Sequence, residues 1–109
     1  MLTLDSGKCP FEMWYRSLRD VATRARIRAR LTRLEDGNFG DWRSVGEGVA
    51  ELKLDFGAGY RIYYALHGDA LVALLAGGDK STQTQDIANA QSLWKAYQNA
   101  PEGFQRDFS

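Results

Sequence analysis

The sequence from residue 50 to residue 66 reads Ala50-Glu-Leu-Lys-Leu-Asp-Phe-Gly-Ala-Gly-Tyr-Arg-Ile-Tyr-Tyr-Ala-Leu66. Up to the first glycine, apolar residues occupy every second position, which predicts a strand with one buried and one exposed face. Gly57-Ala-Gly59 predicts a hairpin turn of three residues. Beyond the turn the alternation resumes, with Arg61 and Tyr63 on the face opposite Ile62. The pattern therefore predicts an antiparallel hairpin.

The segment from residue 70 to residue 76 predicts a third strand. It is almost entirely apolar, as expected for a central strand that is covered on both faces. Turns are expected before it at Gly68-Asp69 and after it at Gly77-Gly78. Near the N-terminus, Met1-Leu-Thr-Leu4 alternates weakly and predicts a short edge strand that Asp5-Ser-Gly7 ends.

Helical spacing of apolar residues predicts three helices around this sheet. The first covers residues 10–18, the second runs from a cap at Asp20 to Gly37, and the third follows a cap at Ser81 or Thr82. The residues expected to face the core from the second and third helices are Ile27, Leu31, Leu34, Ile87, Ala90, Trp94 and Tyr97.

The order of these elements predicts an α+β fold. We expect an N-terminal helical hairpin packed on a small antiparallel β-sheet, with a C-terminal helix. The glycine-rich segment 37–48 has no clear period and predicts an ordered loop. A length of 109 residues fits one domain, which we place at residues 1–98, followed by a flexible tail at residues 99–109.

The charge is unevenly distributed along the chain, although 14 basic and 14 acidic residues give a net charge of zero. Residues 16–33 contain seven arginines and one aspartate, so this segment carries +6 and the remainder −6. Such a segment can present a basic face to nucleic acid or to an acidic partner. The alternative is a solvated helix face whose long side chains cover apolar surface. The candidate RNA-binding residues are Arg24, Arg26, Arg28, Arg30, Arg33 and Arg43.

Several classes of protein are excluded by composition. Cys9 and His67 are the only cysteine and histidine, so neither an intramolecular disulfide nor a Cys/His metal cluster is available. No apolar segment approaches the ~20 residues of a membrane span, and the N-terminus lacks the pattern of a secretion signal. We therefore expect a cytoplasmic protein without a metal.

Candidate catalytic residues lie on one face of the predicted sheet. A symmetric turn would pair Asp55 with Arg61 and Lys53 with Tyr63. Cations and aromatic rings on one face suit a phosphodiester backbone, because cations neutralise phosphates and rings stack on unpaired bases. The candidates are Lys53, Arg61, Tyr63, His67 and Lys80. Metal-free RNA cleavage needs positioning, charge stabilisation, a base and an acid, which such residues can supply.

The same residues also have purely structural interpretations. Asp55 and Arg61 would form an ordinary cross-strand ion pair, and Lys53 would be a solvated charge. His67 stands at a predicted hairpin turn, where histidine is common without a catalytic role, although its usual pKa suits proton transfer.

The chain resembles the HigB-like (phage Gp49-like) addiction-module toxins of the RelE/ParE superfamily from about residue 10 to residue 94. The motifs that carry the resemblance are Pro10-Phe-Glu-Met-Trp14, Arg26-Ile27 to Leu34, Gly37-Asn38 with Gly40-Asp41, Gly46-x-Gly-Val-x-Glu-Leu52, Gly59-Tyr-Arg-Ile-Tyr-Tyr64 and Leu75-Ala-Gly-Gly-Asp-Lys-Ser-Thr-Gln83. The resemblance implies the toxin of a type II toxin–antitoxin module, with a RelE/ParE-like fold and a helix-turn-helix (HigA-like) antitoxin as partner.

The resemblance implies two alternative activities. RelE and HigB relatives cleave mRNA, typically in the ribosomal A site and without metal or cofactor, whereas ParE relatives poison DNA gyrase. By resemblance, Arg61 matches a catalytic arginine of the RelE group. Lys53 lies near a family lysine, with a loop that differs by one residue, and Lys80 falls in a segment that carries another basic residue. The tyrosine that some of these nucleases carry next has no counterpart.

The leading hypothesis is a ribosome-dependent mRNA endonuclease (mRNA interferase) that arrests growth by inhibiting translation. In this hypothesis Arg61 stabilises the transition state, Lys53 and Lys80 bind phosphate or move protons, and Tyr63 or His67 replaces the missing tyrosine. The alternatives are a gyrase inhibitor without nuclease chemistry and a module that only binds its antitoxin.

Overall fold

The computed structural model describes residues 2–4, 9–67, 71–99 and 104–106, with side chains for residues 9–66 and 72–99. The helices within these ranges are Pro10–Ser17 (α1), Val21–Glu35 (α2) and Gln83–Asn99 (α3), and a 3₁₀ turn, Lys80–Thr82, precedes α3. The strands are Leu2–Leu4 (β1), Trp42–Gly46 (β2), Val49–Lys53 (β3), Arg61–His67 (β4), Leu71–Gly78 (β5) and Phe104–Arg106 (β6).

The strands form one sheet in the order β2-β3-β4-β5-β1-β6. From β2 to β5 the sheet is an antiparallel meander, because each strand pairs with the next along the chain. β1 runs parallel to β5, and β6 pairs antiparallel with β1. The predicted α+β architecture is confirmed. β1, however, lies between β5 and β6 and is not the edge strand that the sequence predicts.

Helices cover both faces of the sheet. The predicted stripe of α2, Ile27, Leu31 and Leu34, is buried with α1 against one face. Trp94 and Tyr97 of α3 are buried against the other. β5 contributes buried side chains to both layers, as its apolar sequence predicts. The sheet is therefore a central layer, and each of its faces belongs to a separate apolar cluster.

The cap of α2 is at the predicted residue. The Asp20 carboxylate accepts hydrogen bonds from the backbone N of Ala22 at 3.1 Å and from the hydroxyl of Thr23 at 2.8 Å, which satisfies donors at the helix start. The Tyr15 hydroxyl donates to the backbone O of Arg24 at 3.3 Å and ties α1 to α2. These contacts hold the predicted helical hairpin together.

A 3₁₀ turn with a cap of its own precedes the last helix. Asp79 is the N-cap of the 3₁₀ turn and accepts from the backbone N of Ser81 at 2.8 Å. Thr82 completes a capping box with Asp79. The sequence pattern does not predict this turn, and Thr82 directly precedes Gln83, the first residue of α3.

Segment 37–48 is not the loop that the sequence predicts, because β2 lies within it. The side chains of β2 are mostly exposed, so the strand lacks the apolar alternation that would reveal it. A hairpin through Glu47 and Gly48 joins β2 to β3, and Gly46, Glu47 and Gly48 all have positive φ.

The predicted register of the β3–β4 hairpin is also wrong. Lys53 pairs with Arg61, and Glu51 pairs with Tyr63. The connection is longer than a three-residue turn, because the backbone N of Leu54 donates to the O of Tyr60 at 3.0 Å and residues 55–59 form bends and turns. The shift moves Asp55 out of the strand pair and places Glu51 opposite Tyr63, on the same face as before.

Some predictions fall outside the described residues. These are the turn at Asp5-Ser-Gly7, the turn at Gly68-Asp69, and most of the predicted tail. Asn99 ends α3, and β6 lies within the predicted tail segment.

Candidate functional site

A buried carboxylate, Glu51, connects the polar residues on the face of the sheet that α3 covers. Its side chain is 3% exposed, and its Oε1 accepts a hydrogen bond from the Nε of Arg43 at 2.8 Å. Its Oε2 accepts from the Tyr63 hydroxyl at 3.0 Å and from the Nε2 of Gln83 at 2.8 Å. The register places Arg43, Glu51 and Tyr63 side by side on β2, β3 and β4, which explains why they meet.

These contacts determine the ionisation of the cluster. Burial opposes the charge on Glu51, but hydrogen bonds from Arg43, Gln83 and Tyr63 outweigh burial and lower the pKa of this carboxyl. Burial and the hydrogen bond to Glu51 together raise the pKa of Tyr63 above its ordinary value. The carboxylate is therefore charged and the phenol neutral at physiological pH. Tyr63 is fully buried, so it supports the site through Glu51.

Arg61 is held by the hairpin turn that precedes it. Its Nη1 donates to the backbone O of Gly59 at 2.9 Å and to that of Tyr60 at 3.3 Å. Its Nε lies 4.0 Å from Oε1 of Glu51 and has no hydrogen-bond partner among the described residues. The side chain is only 9% exposed. A buried charged donor without a hydrogen-bond partner costs free energy, which the nearby Glu51 carboxylate offsets in part.

A polar cleft of about 340 Å³ opens over this cluster. It is lined by Asp41, Trp42, Arg43, Glu51, Lys53, Arg61 and Gln83, and we call it the polar cleft. The cations of its lining outnumber the acids by one. Because Glu51 is already engaged by its neighbours, the cleft suits a small anion such as a phosphate group.

The structure brings only part of the predicted catalytic set to the cleft. Lys53 and Arg61 line it. Lys80 is exposed on the 3₁₀ turn beside Gly59, where a Cβ on the glycine would lie 3.4 Å from the Cβ of Lys80. Lys80 thus neighbours the Arg61 turn without lining the cleft. His67 ends β4 six residues beyond Arg61, about 20 Å along the strand at the usual rise, so the two positions do not meet.

The arginines of α2 lie in the layer on the other face of the sheet. Arg26, Arg30 and Arg33 line a separate cavity of about 290 Å³, and the guanidinium of Arg26 sits 4.3 Å from the centre of the Phe56 ring. Arg24 is half-buried and Arg28 exposed. Arg43, predicted as an RNA-binding residue with them, belongs to the polar cleft.

Sequence reasoning missed several residues of the cleft. Period-two alternation places Glu51 on the exposed face, but α3 covers that face and buries the side chain. Asp41 and Trp42 were missed because they lie inside the predicted loop 37–48, and Gln83 was missed because it stands at the start of the last helix. The correct register of the β3–β4 hairpin would have pointed to Glu51, since it aligns this residue with Tyr63.

Two other kinds of feature are absent from the described part of the chain. Within it, no helix has the length and apolarity that crossing a bilayer requires. No group of three or more His, Cys, Asp or Glu side chains in the same residues is arranged to hold a metal ion.

Residues 14–99 match the family described as "Phage derived protein Gp49-like (DUF891)". A protein of Haemophilus influenzae, named "Uncharacterized protein", is 48% identical over 83 residues, which cover 76% of this chain and 84% of that protein. No solved structure is significantly similar to the chain. The family match includes every residue of the polar cleft.

Proposed function

The chain belongs to the Gp49-like family, the family of HigB-like toxins, and on this premise we propose that it is the toxin of a type II toxin–antitoxin module that cleaves mRNA on the ribosome. A helix-turn-helix antitoxin of the HigA type neutralises it. The observation that carries the proposal is the convergence of Arg43, Lys53 and Arg61 on one cleft around a single buried carboxylate, Glu51.

The reaction needs no metal or cofactor. The 2′-oxygen of a ribose attacks the adjacent phosphorus, the bond from phosphorus to the 5′-oxygen breaks, and one proton passes from the 2′-hydroxyl to the leaving 5′-oxygen. The products are a 2′,3′-cyclic phosphate and a 5′-hydroxyl. Arg61, held rigidly by the turn, stabilises the charge that grows on the phosphoryl oxygens, and Lys53 binds the phosphate or carries the proton.

The arginines of α2 have a different task in this proposal. Arg26, Arg30 and Arg33 lie away from the cleft and take no part in the chemistry. They contact the phosphates of ribosomal RNA, where exposed guanidiniums bind without sequence preference. Lys80, exposed beside the Arg61 turn, binds the mRNA backbone next to the cleft.

The test is primer extension on mRNA from cells that express the protein without its antitoxin. We expect new cuts near codon boundaries. Arg61→Ala, Arg61→Lys and Lys53→Ala should abolish or strongly reduce the cuts, whereas Arg19→Ala, at an exposed site outside the cleft, should not. Arg61→Lys keeps the charge but loses the guanidinium geometry, and circular dichroism of each purified variant separates a loss of catalysis from a loss of folding. Growth arrest with intact transcripts would refute the proposal.

A gyrase inhibitor without chemistry is the second candidate. The observation in its favour is that Tyr63 is buried and that Nη1 of Arg61 is bound to backbone carbonyls, as in a purely structural arginine. In this case the purified protein blocks DNA supercoiling by gyrase, and Arg61→Ala remains toxic if it folds. A protein that causes no growth arrest at all would instead only bind its antitoxin.

A further inference from the structure

Trp42 stands at the border of two cavities of opposite character. It is the first residue of the edge strand β2, its side chain is 50% exposed, and it lines the polar cleft. It also lines a second cavity of about 350 Å³, whose walls include Phe39, Ala50, Tyr64 and Leu66. We call this second cavity the aromatic groove. Its volume falls within the ~300–1,000 Å³ range of small-ligand sites.

The aromatic groove is built for a flat uncharged group. The Phe39 and Trp42 rings are 6.1 Å apart in an edge-on arrangement, and the Phe39 and Tyr64 rings are stacked at 6.4 Å with an interplanar angle of 4°. None of the residues that line the groove carries a charge. Burial raises the pKa of Tyr64 to about 12, so its phenol stays neutral. Aromatic faces with apolar walls favour stacking over ionic binding.

The two cavities together indicate which class of ligand fits this edge of the sheet. The polar cleft offers cations for a phosphate, and the aromatic groove offers ring faces for a base. A nucleotide carries both groups on one short unit, and Trp42 is common to both cavities. An exposed aromatic side chain beside a cationic path is the usual way in which proteins hold single-stranded nucleic acid.

We propose that Trp42 stacks on an unpaired base of single-stranded RNA, seated in the aromatic groove, while the neighbouring phosphate lies in the polar cleft. The inference rests on the proposed function, because it takes the substrate RNA as the ligand. It adds a residue that touches the substrate without taking part in the chemistry. Trp42 therefore helps to seat the neighbouring phosphate beside Arg61.

The experiment measures binding of two fluorescein-labelled oligonucleotides by fluorescence anisotropy. One is an uncleavable 2′-O-methyl RNA, and the other is an abasic strand with the same number of phosphates. The variants are Trp42→Ala, Trp42→Phe and, as a control, Met13→Ala, which changes a 59% exposed apolar residue on α1. Circular dichroism and thermal melting check that each variant folds.

We expect Trp42→Ala to weaken binding of the base-bearing RNA about 5- to 100-fold, as one stacked base predicts. Binding of the abasic strand should change by less than about twofold, since its phosphate contacts remain. Trp42→Phe should retain most of the affinity because a ring is kept, and Met13→Ala should match the wild type.

Three results would overturn the inference. They are equal losses for both strands, no loss for the base-bearing strand, and no binding of either strand by the wild type. Loss of antitoxin binding in Trp42→Ala with unchanged RNA binding would also overturn it, because the groove would then belong to the partner protein. The cleavage experiment is independent: cuts that persist alongside a negative binding result leave the proposed function standing.

Discussion

Replacing Glu51 by alanine should lower the free energy of unfolding by about 2–4 kcal/mol. The largest part of this loss of stability comes from the Tyr63 hydroxyl, which is fully buried and would lose its acceptor at a cost of about 1–3 kcal/mol. Gln83 is half-buried and regains part of its hydrogen bonding from water. Arg43 is 61% exposed and rehydrates, so it adds little. The removal of a buried charge offsets part of the loss.

The variant Glu51→Gln separates the effect of the charge on stability from the effect of the side chain's shape. It keeps the size and one carbonyl oxygen, so Glu51→Gln should cost about 1–2 kcal/mol, less than alanine. Glu47→Gln, in the exposed hairpin between β2 and β3, is the matched control and should change stability by less than about 0.5 kcal/mol. Urea unfolding followed by circular dichroism gives all three values.

The pH dependence of stability gives an independent check that the ionised Glu51 carboxylate stabilises the fold. The folded state lowers the pKa of Glu51, so the ionised carboxylate stabilises the fold above the unfolded pKa, about 4.3. This stabilisation is lost as the pH falls through the lower, folded pKa. The stability difference between wild type and Glu51→Gln should therefore shrink from pH 7 to pH 3. A difference that stays constant, or an alanine variant as stable as the wild type, would refute the argument.

Substitutions at three positions test how the fold is built. Gly77→Ala places a Cβ within the Trp14 ring and should cost about 1–3 kcal/mol, read from thermal melting; an unchanged melting temperature would contradict the packing. Asp20→Ala removes the cap of α2 and should cost about 1 kcal/mol in urea unfolding, whereas Asp20→Asn should cost much less. Glu47 has φ 57°, so Glu47→Asn should raise stability by about 0.5–1 kcal/mol; a destabilised variant would show that the backbone strain is not the limiting term.

The features that the sequence predicts correctly are those that local patterning determines. The apolar run of β5 needs cover on both faces whatever surrounds it, and Leu74 and Leu75 are buried in opposite layers. The stripe of α2 and its cap at Asp20 depend on residues within a few positions of each other. Such features can be predicted without knowledge of the tertiary contacts.

The features that the sequence does not predict depend on partners that are distant along the chain. β2 lacks its own apolar pattern and exists because it pairs with β3. The sequence pattern predicts that Glu51 is an exposed strand residue, because Gln83, which contacts it, lies 32 positions later in the chain. The hairpin register fails because the connection is longer than its two glycines suggest, and a shift of two residues keeps every side chain on its predicted face. The face of Lys53 and Arg61 was therefore correct while their partners were wrong.

The position of the acids, more than that of the arginines, determines how a phosphate would bind in the polar cleft. Arg43 is already paired with Glu51, so an entering phosphate competes with the carboxylate for this guanidinium. Arg43 is largely exposed and can change partner at little cost, whereas buried Arg61 stays fixed by the carbonyls of its turn. In the proposed complex, phosphate binding is therefore an exchange of partner at Arg43 and an added contact at Arg61. If the proposed function holds, the seven clustered arginines supply long-range attraction for RNA, and the arrangement of the cleft depends on one glutamate that the charge pattern does not reveal.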